Sequence, residues 1–345
     1  MGTLSAADRA LGRLGGIARG LPNPRLLVGP FSSREAVLSS RIEGTQASLT
    51  DLALHEAAPA VAPKEPDVRE VANYLEALTY ATDPGRRLPL SMRLLRELHR
   101  ILLTGVRGRT QTPGEFRTVQ NYIGRLGASE DIATFIPPPV PQMNEGLGAL
   151  EKYLHRKSDL PPLVRLALIH YQFEAIHPFL DGNGRVGRLL VTLVLHEEKL
   201  LDQPLLYLSA FFEMHRAQYY ELLLAVSQHG EFEQWIRFFL EGVRTQSEDA
   251  VRRADRLHAL REDYQARLKK TKAPPLQYRI VDLLFEHIVV SASTVVNELD
   301  VTHRAAMMSL RALAALKLVT EPVKRKRYRV FWAKEIDRIL GSDVA

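Results

Sequence analysis

Apolar positions recur at helical spacing along most of the chain. Val68, Val71, Tyr74, Leu75 and Leu78 predict a helix over 67–82, and Leu94, Leu95, Leu98, Ile101 and Leu102 predict one over 91–104. A shorter pattern over 33–43 stops at Gly44, a residue suited to closing a helix. Residues 57–66 are a Pro/Ala-rich connection. Further helices are expected over 143–155, 162–176, about 185–199, 209–227 and 231–245. The pattern breaks at 117–141. There Val119, Tyr122 and Ile123, then Thr134, Phe135 and Ile136, form two β-prone runs around Gly-rich polar sequence, which predicts a hairpin ending in Pro137–Pro139.

Residues 246–272 are charge-laced, and the expectation is a solvated helical linker that holds the C-terminal segment well away from the core. Ala273-Pro274-Pro275 marks a boundary. Beyond it the order is helix (277–287), helix (292–299), a turn near Val301, helix (302–316) and a basic β-prone segment (325–332), which resembles a winged helix-turn-helix. In the 302–316 helix, Ala306, Leu310, Leu313 and Leu316 would face inward, and His303, Arg304, Met307 and Arg311 outward. The fold class is therefore mostly α: a helical bundle with a β-hairpin, plus a C-terminal winged helix. The expected division is 1–90, 91–245, a linker at 246–273, and 274–345.

A length of 345 residues suits two or three domains. No cysteine is present, which excludes disulfides, thiol nucleophiles and zinc–thiolate sites. The first twenty residues lack a signal-type apolar run, being interrupted by Asp8, Arg9, Arg13 and Arg19. The best apolar run, Leu189–Leu195, is too short to span a bilayer. These features read as a soluble, cytoplasmic protein with no membrane partner. Net charge is +6. Residues 317–334 hold Lys317, Lys324, Arg325, Lys326, Arg327, Arg329 and Lys334 against Glu321 alone, so the basic excess is local to the C-terminal segment.

The densest chemistry lies at 177–188, His-Pro-Phe-Leu-Asp-Gly-Asn-Gly-Arg-Val-Gly-Arg. Pro178 ends the preceding helix at His177. Asp181-Gly182-Asn183-Gly184 is turn sequence. A new helix then starts near Gly184 with free N–H groups and a positive dipole end, an anion site by construction. Gly182 and Gly184 allow close backbone approach to a ligand. Arg185 and Arg188 stand where phosphate charge would sit. Asp181 beside a polyphosphate is a natural Mg²⁺ ligand, and His177 can accept a proton near neutral pH. An EF-hand is excluded because its twelfth position would be Thr192, and a Walker A loop because no Gly-Lys-Ser/Thr follows.

This segment matches the motif of the Fic family, His-x-Phe-x-(Asp/Glu)-Gly-Asn-(Gly/Lys)-Arg-x-x-Arg, at every fixed position, and the resemblance covers roughly residues 30–245. It implies transfer of AMP from Mg-ATP to hydroxyl side chains of target proteins. By the family's pattern His177 is the general base and Phe179 packs the loop. Asp181 holds Mg²⁺, Gly182, Asn183, Gly184 and Arg185 hold the α- and β-phosphates, and Arg188 holds the γ-phosphate. Gly184 stands where kinase-like relatives carry Lys, which favours AMP transfer over phosphorylation. Residues 119–136, with Tyr122 and Ile123, resemble the flap that aligns a target segment by strand addition; an ordinary surface hairpin is the other reading.

Leu208–Tyr220 resembles the adenine-pocket stretch, with Tyr219 and Tyr220 as nucleotide contacts or as plain core residues, and His215 replacing the family's Asn. Ser39-Ser40-Arg41-Ile42-Glu43-Gly44 is similar to the family's inhibitory pattern, (Ser/Thr)-x-x-x-Glu-(Gly/Asn). That implies a brake in which Ser39, Glu43 and Gly44 present a carboxylate to Arg188 in place of the γ-phosphate. Read alone, a Glu before a terminal Gly is a solvated residue. Self-modification, AMP removal by the same glutamate and a homodimer stay open. So does DNA binding by the C-terminal module, against a role in protein contact. The contrasting function is a DNA-binding regulator whose core senses nucleotide.

Overall fold

A computed structural model describes residues 2–20, 23–59, 65–124, 133–321 and 329–341. It is mostly helical. The N-terminal region holds α1 (Gly2–Gly20), α2 (Arg25–Ile42), α3 (Leu49–Ala57) and α4 (Pro66–Thr82). The central region holds α5 (Met92–Leu102), α6 (Val140–His155), α7 (Pro162–Ile176), α8 (Asn183–Glu197), α9 (Ser209–Met214) and α10 (Arg216–His229). Then come α11 (Phe232–Lys270), α12 (Pro275–Glu286), β1 (Val289–Ser291), α13 (Ala292–Leu299), α14 (His303–Ala315), β2 (Val330–Trp332) and α15 (Lys334–Gly341).

The helices at the centre follow the apolar pattern. On α5, Leu94, Leu95, Leu98 and Leu102 have no exposed surface, and Ser91 caps the first turn by accepting from Leu94 N–H. Helix α8 is hidden nearly all round, from Asn183 to Leu195, and packs on α7, α4 and α5. It is the central rod of the molecule, and its N-terminus carries the motif.

Several segments differ from expectation. Helices α1 and α3 are additional. Helix α1 buries Ala7, Leu11, Leu14 and Ala18 along α11, a stripe half made of alanine and so faint in the sequence. Helix α3 starts with a capping box in which Ser48 and Asp51 bond each other's main chain. The solvated linker expected at 246–272 is instead the second half of α11, which at 39 residues extends about 58 Å. Here Ala250, Val251, Ala254, Leu257, Tyr264 and Leu268 are buried. The charged residues between them obscure a continuous apolar stripe.

The segment 274–341 is docked on the N-terminal helices rather than held away from them. Helix α12 packs on α2, and α15 packs on α2, α3 and α11. Arg34 Nε donates to Leu340 O (3.0 Å), Thr50 Oγ1 to Asp337 (3.2 Å) and Tyr264 to Glu335 (2.8 Å). Within it, β1 and β2 pair antiparallel, Val289 opposite Trp332. On α14, Ala306, Leu310 and Leu313 are buried, whereas Leu316 is only partly so. His303, Arg304 and Arg311 face outward, while Met307 leans on the core and Met308 is exposed. Residues 325–328 of the expected basic segment lie outside the described residues. The hairpin expected at 117–141 reduces, among the described residues, to one antiparallel bridge between Ile123 and Phe135.

Candidate active site

Helix α7 ends at His177, which takes a left-handed conformation (φ 49°, ψ 61°) while its N–H still bonds Phe173 O. That backbone is costly for a non-glycine residue and persists only where its surroundings enforce it. Buried Arg117 supplies the enforcement. It donates to His177 O (3.0 Å) and Val119 O (3.2 Å), and also to Pro138 O, while its own N–H bonds Pro178 O (2.9 Å). Nδ1 of His177 lies 3.3 Å from Glu174 O. With a proton there, Nε2 is the basic nitrogen. Burial lowers the imidazole pKa to about 4, opposed by the Glu174 hydrogen bond. The group is thus neutral at pH 7.

The loop is clamped from within. Asn183 donates to Phe179 O (2.8 Å) and accepts from Phe179 N–H (2.8 Å). Its side chain is spent on the loop, which leaves its backbone N–H for an anion. Phe179 has no exposed surface, so it anchors the loop rather than touching a ligand. Gly182 takes φ +81°, the left-handed conformation this turn requires. Asp181 Oδ1 accepts from Gly182 N–H (2.6 Å) and stands 3.6 Å from Arg185 Nη2. The carboxylate is about one-third exposed. One carboxylate at an anion loop suits magnesium, which completes its shell with phosphate and water. Among the described residues no cluster of three or more metal-ligating side chains exists, so any ion here would depend on the nucleotide.

Both motif arginines already have anionic partners. Arg188 is buried and bonds Ser39 Oγ (2.8 Å), Ser39 O (3.0 Å) and Glu43 Oε1 (2.7 Å). Burial would raise the Glu43 pKa, but the charge and hydrogen bond of Arg188 outweigh it and hold the carboxyl below its usual value. Glu43 is the C-cap of α2, and Gly44 follows at φ +99°. A methyl group at Gly184 would come within 2.5 Å of Glu43 Oε1, so the missing side chain there makes room for this carboxylate. Arg185 is enclosed and lies 3.4 Å from Glu70, which also pairs with Arg107 at 3.2 Å. Arg107 in turn reaches Glu43 O (3.3 Å).

The two tyrosines separate. Tyr219 is enclosed, its hydroxyl 3.0 Å from His170 Nε2 within a cluster with Phe212 and Trp235. Tyr220 is 43% exposed, with Arg216 over its ring, and is the one with surface to offer a ligand. His215 bonds back to Phe211 O (3.0 Å). Tyr122 and Ile123 are half-buried beside the motif, where Asn121 donates to Phe179 O (3.1 Å).

Sequence reasoning missed Glu70, Arg107, Arg117 and His99. The signal for His99 and Glu70 is a polar residue on the apolar face of α5 or α4; for the arginines there is none. Glu35, one turn before Ser39 on α2, is also buried. Its pKa rises to about 7 through desolvation, against hydrogen bonds from Ser209 and Tyr74. No helix among the described residues is long and apolar enough to cross a membrane.

Two family profiles match the chain, "Fic/DOC family N-terminal" over residues 1–83 and "Fic/DOC family" over 89–195. The chain is 29% identical over 158 residues to a protein named Protein adenylyltransferase Fic from Drosophila grimshawi, covering 45% of this chain and 29% of that protein. It is 37% identical over 84 residues to Protein adenylyltransferase fic-1 of Caenorhabditis elegans, covering 24% and 15%. The matched region thus spans less than a third of these curated relatives. Among solved structures, a Fic family protein from Desulfovibrio desulfuricans G20 superposes with a TM-score of 0.61 at 20% identity, over 96% of both chains. A C. elegans Fic-1 fragment gives 0.55 at 23%, over 76% of this chain and 72% of that one. With the motif intact at the N-terminus of its central helix, one profile matched before it, the other running through it, and the fold shared over 96% of a solved relative, the chain belongs to the Fic/DOC family.

Proposed function

We propose that the chain is a protein adenylyltransferase, moving AMP from Mg-ATP to a Ser, Thr or Tyr hydroxyl of a target protein, itself included, with Glu43 as a built-in brake. The observation that carries this is the shared use of Arg188: one guanidinium, at the mouth of an anion loop, held by Ser39 and Glu43 on α2. The names of the curated relatives support the reaction class.

In this reading His177 Nε2 takes the proton of the target hydroxyl. The hydroxyl oxygen bonds to the α-phosphorus, the bond from that phosphorus to the bridging oxygen breaks, and diphosphate leaves with the electron pair. Backbone N–H groups at Gly182–Arg185, with Arg185 and Arg188, take up phosphate charge. Asp181 would hold magnesium, which would neutralise the leaving diphosphate. Tyr220 would border the adenine, and the Tyr122–Ile123 segment would align the target segment by main-chain pairing. While Glu43 holds Arg188, the γ-phosphate lacks its partner and the α-phosphate is not presented in line. AMP removal assisted by Glu43 and a homodimer are compatible with this arrangement.

Incubation of parent and Glu43→Gly protein with α- and γ-labelled ATP tests this. Protein-bound α-label, rising about tenfold or more in the variant, is expected. Bound γ-label would make the enzyme a kinase, and no label in either protein would sink the transferase reading.

A second reading concerns residues 274–341. We propose that they form a winged helix-turn-helix, with α13 and α14 as its helix pair, β1 and β2 at the base of its wing, and DNA as its partner. What favours it is the outward set His303, Arg304 and Arg311 on α14, together with the basic composition of the sequence at 324–329. A core that only senses nucleotide would then serve a regulator. Full-length protein should be retained on DNA at low ionic strength and released by salt. No salt-sensitive retention would leave the segment as a protein-contact domain.

A further inference from the structure

His99, on the last turn of α5, is a buried polar residue to which the transfer reaction assigns no part. It has no exposed surface. The ring stacks on Phe179 with centroids 3.8 Å apart and planes 15° apart. Its two nitrogens face opposite ways. Gly114 N–H donates to Nδ1 (2.9 Å), which fixes the other proton on Nε2, and Nε2 donates to Asp181 O (2.9 Å). One edge of the ring also lies against Gly182, where an added methyl group would come within 3.4 Å of Cδ2. The segment between His99 and Gly114 also comes against the Asp181 carboxylate: a methyl group at Gly108 would lie 2.5 Å from Asp181 Oδ2.

We infer that His99 is a positioning residue for the anion loop. Its Nε2–H pins the Asp181 carbonyl, and its Nδ1 ties that point to the glycine-containing segment after α5. This rests on the transferase reading, in which the Asp181 carboxylate faces the metal–phosphate group. An apolar ring could stack on Phe179 equally well. Only imidazole bridges a donor on one wall to an acceptor on the other within a dry site. Groups that orient a metal-binding residue from behind typically alter metal affinity about 10–100-fold when removed.

Two substitutions separate the halves of the bridge. His99→Asn keeps an acceptor near Nδ1 for Gly114 but loses the donor to Asp181. His99→Gln keeps a donor near Nε2 but loses the acceptor. Both are made in full-length protein carrying Glu43→Gly. ATP binding is measured by calorimetry at rising Mg²⁺, and melting is followed without nucleotide. His99→Asn should raise the half-saturating Mg²⁺ about tenfold. His99→Gln should stay within about twofold, although both variants melt earlier than the Glu43→Gly protein. Equal shifts, or none, would overturn the inference and leave the site reading intact. Loss of the melting transition in both variants would assign His99 to the core alone and equally overturn it. If the Glu43→Gly protein itself binds ATP without any dependence on Mg²⁺, the site reading fails, and the inference with it.

Discussion

At the scale of single residues, the site is a contest for charge. Arg188 is buried and bonded to the buried Ser39 and the half-buried Glu43, so its guanidinium has an anionic partner before any ligand arrives. His177 is the other decisive group, and desolvation sets its protonation. An imidazole in water titrates near 6.5. Here the charged form is disfavoured and the pKa falls to about 4, so the ring stays a base as pH drops through 6 and 5. Transfer by the Glu43→Gly protein should therefore show no protonation step near pH 6.5. Its acid limb should come only as pH falls toward 4, measured as initial rate over pH 4–8. A limb at 6.5 would show that desolvation does not lower the His177 pKa. The stability sign is the opposite. Below about 6.5 the unfolded chain takes a proton the folded loop refuses, so this group makes the fold less stable as pH falls to about 4. The motif residues were legible because turn, anion and proton chemistry each demand particular side chains in sequence. His99, Glu70 and Arg117 were not, since they reach the loop from other elements.

At the scale of elements, the apolar stripes on α4, α5, α7 and α8 emerged at close to their true extents. Those on α1 and the far half of α11 did not, because alanine and flanking charge weaken the pattern there. Helix α3 illustrates a third cause. It spans nine residues, too short for periodicity to declare itself, and its start is marked only by a local signal. Ser48 accepts from Asp51 N–H (3.1 Å) while Asp51 accepts from Ser48 N–H (2.9 Å). Such caps contribute about 1 kcal/mol. Ser48→Ala should therefore lower the denaturant midpoint by an amount worth about 1 kcal/mol with an unchanged slope. A midpoint equal to the parent's would show that tertiary packing alone holds α3 in place. The flap region carries strand-prone residues, yet one bridge is what the described backbone forms, with Asn121 and Arg117 tied to the motif loop instead.

At the scale of the whole molecule, composition and the proline boundary at 273–275 suggested a terminal module set apart on a solvated helical linker. The linker is a packed helix, and the module is seated against the same helix that ends in Glu43. The seat is specific. Arg261 pairs with Asp282 at 2.7 Å, Tyr264 packs edge-on against Phe285, and buried Arg253 bonds Asp249 (2.6 Å) and Leu340 O (3.0 Å). Gly29 on α2 sits so close to Glu286 that a methyl group would lie 3.2 Å from its carbonyl oxygen. Cutting the chain before Pro274 would thus do more than remove an appendage. It would expose Tyr264, Leu268 and the outer faces of α2 and α3, and would leave the buried guanidinium of Arg253 without its carbonyl partners on α15. Exposed apolar surface and unpaired buried polar groups each cost stability. The fragment ending at residue 273 should therefore melt earlier than the full chain, by on the order of 5 °C or more, and should bind a hydrophobic dye that the intact chain does not. An unchanged melting temperature with no dye binding would mean that the segment is a separable unit after all, and that the contacts along α11 and α2 add nothing to the stability of the core.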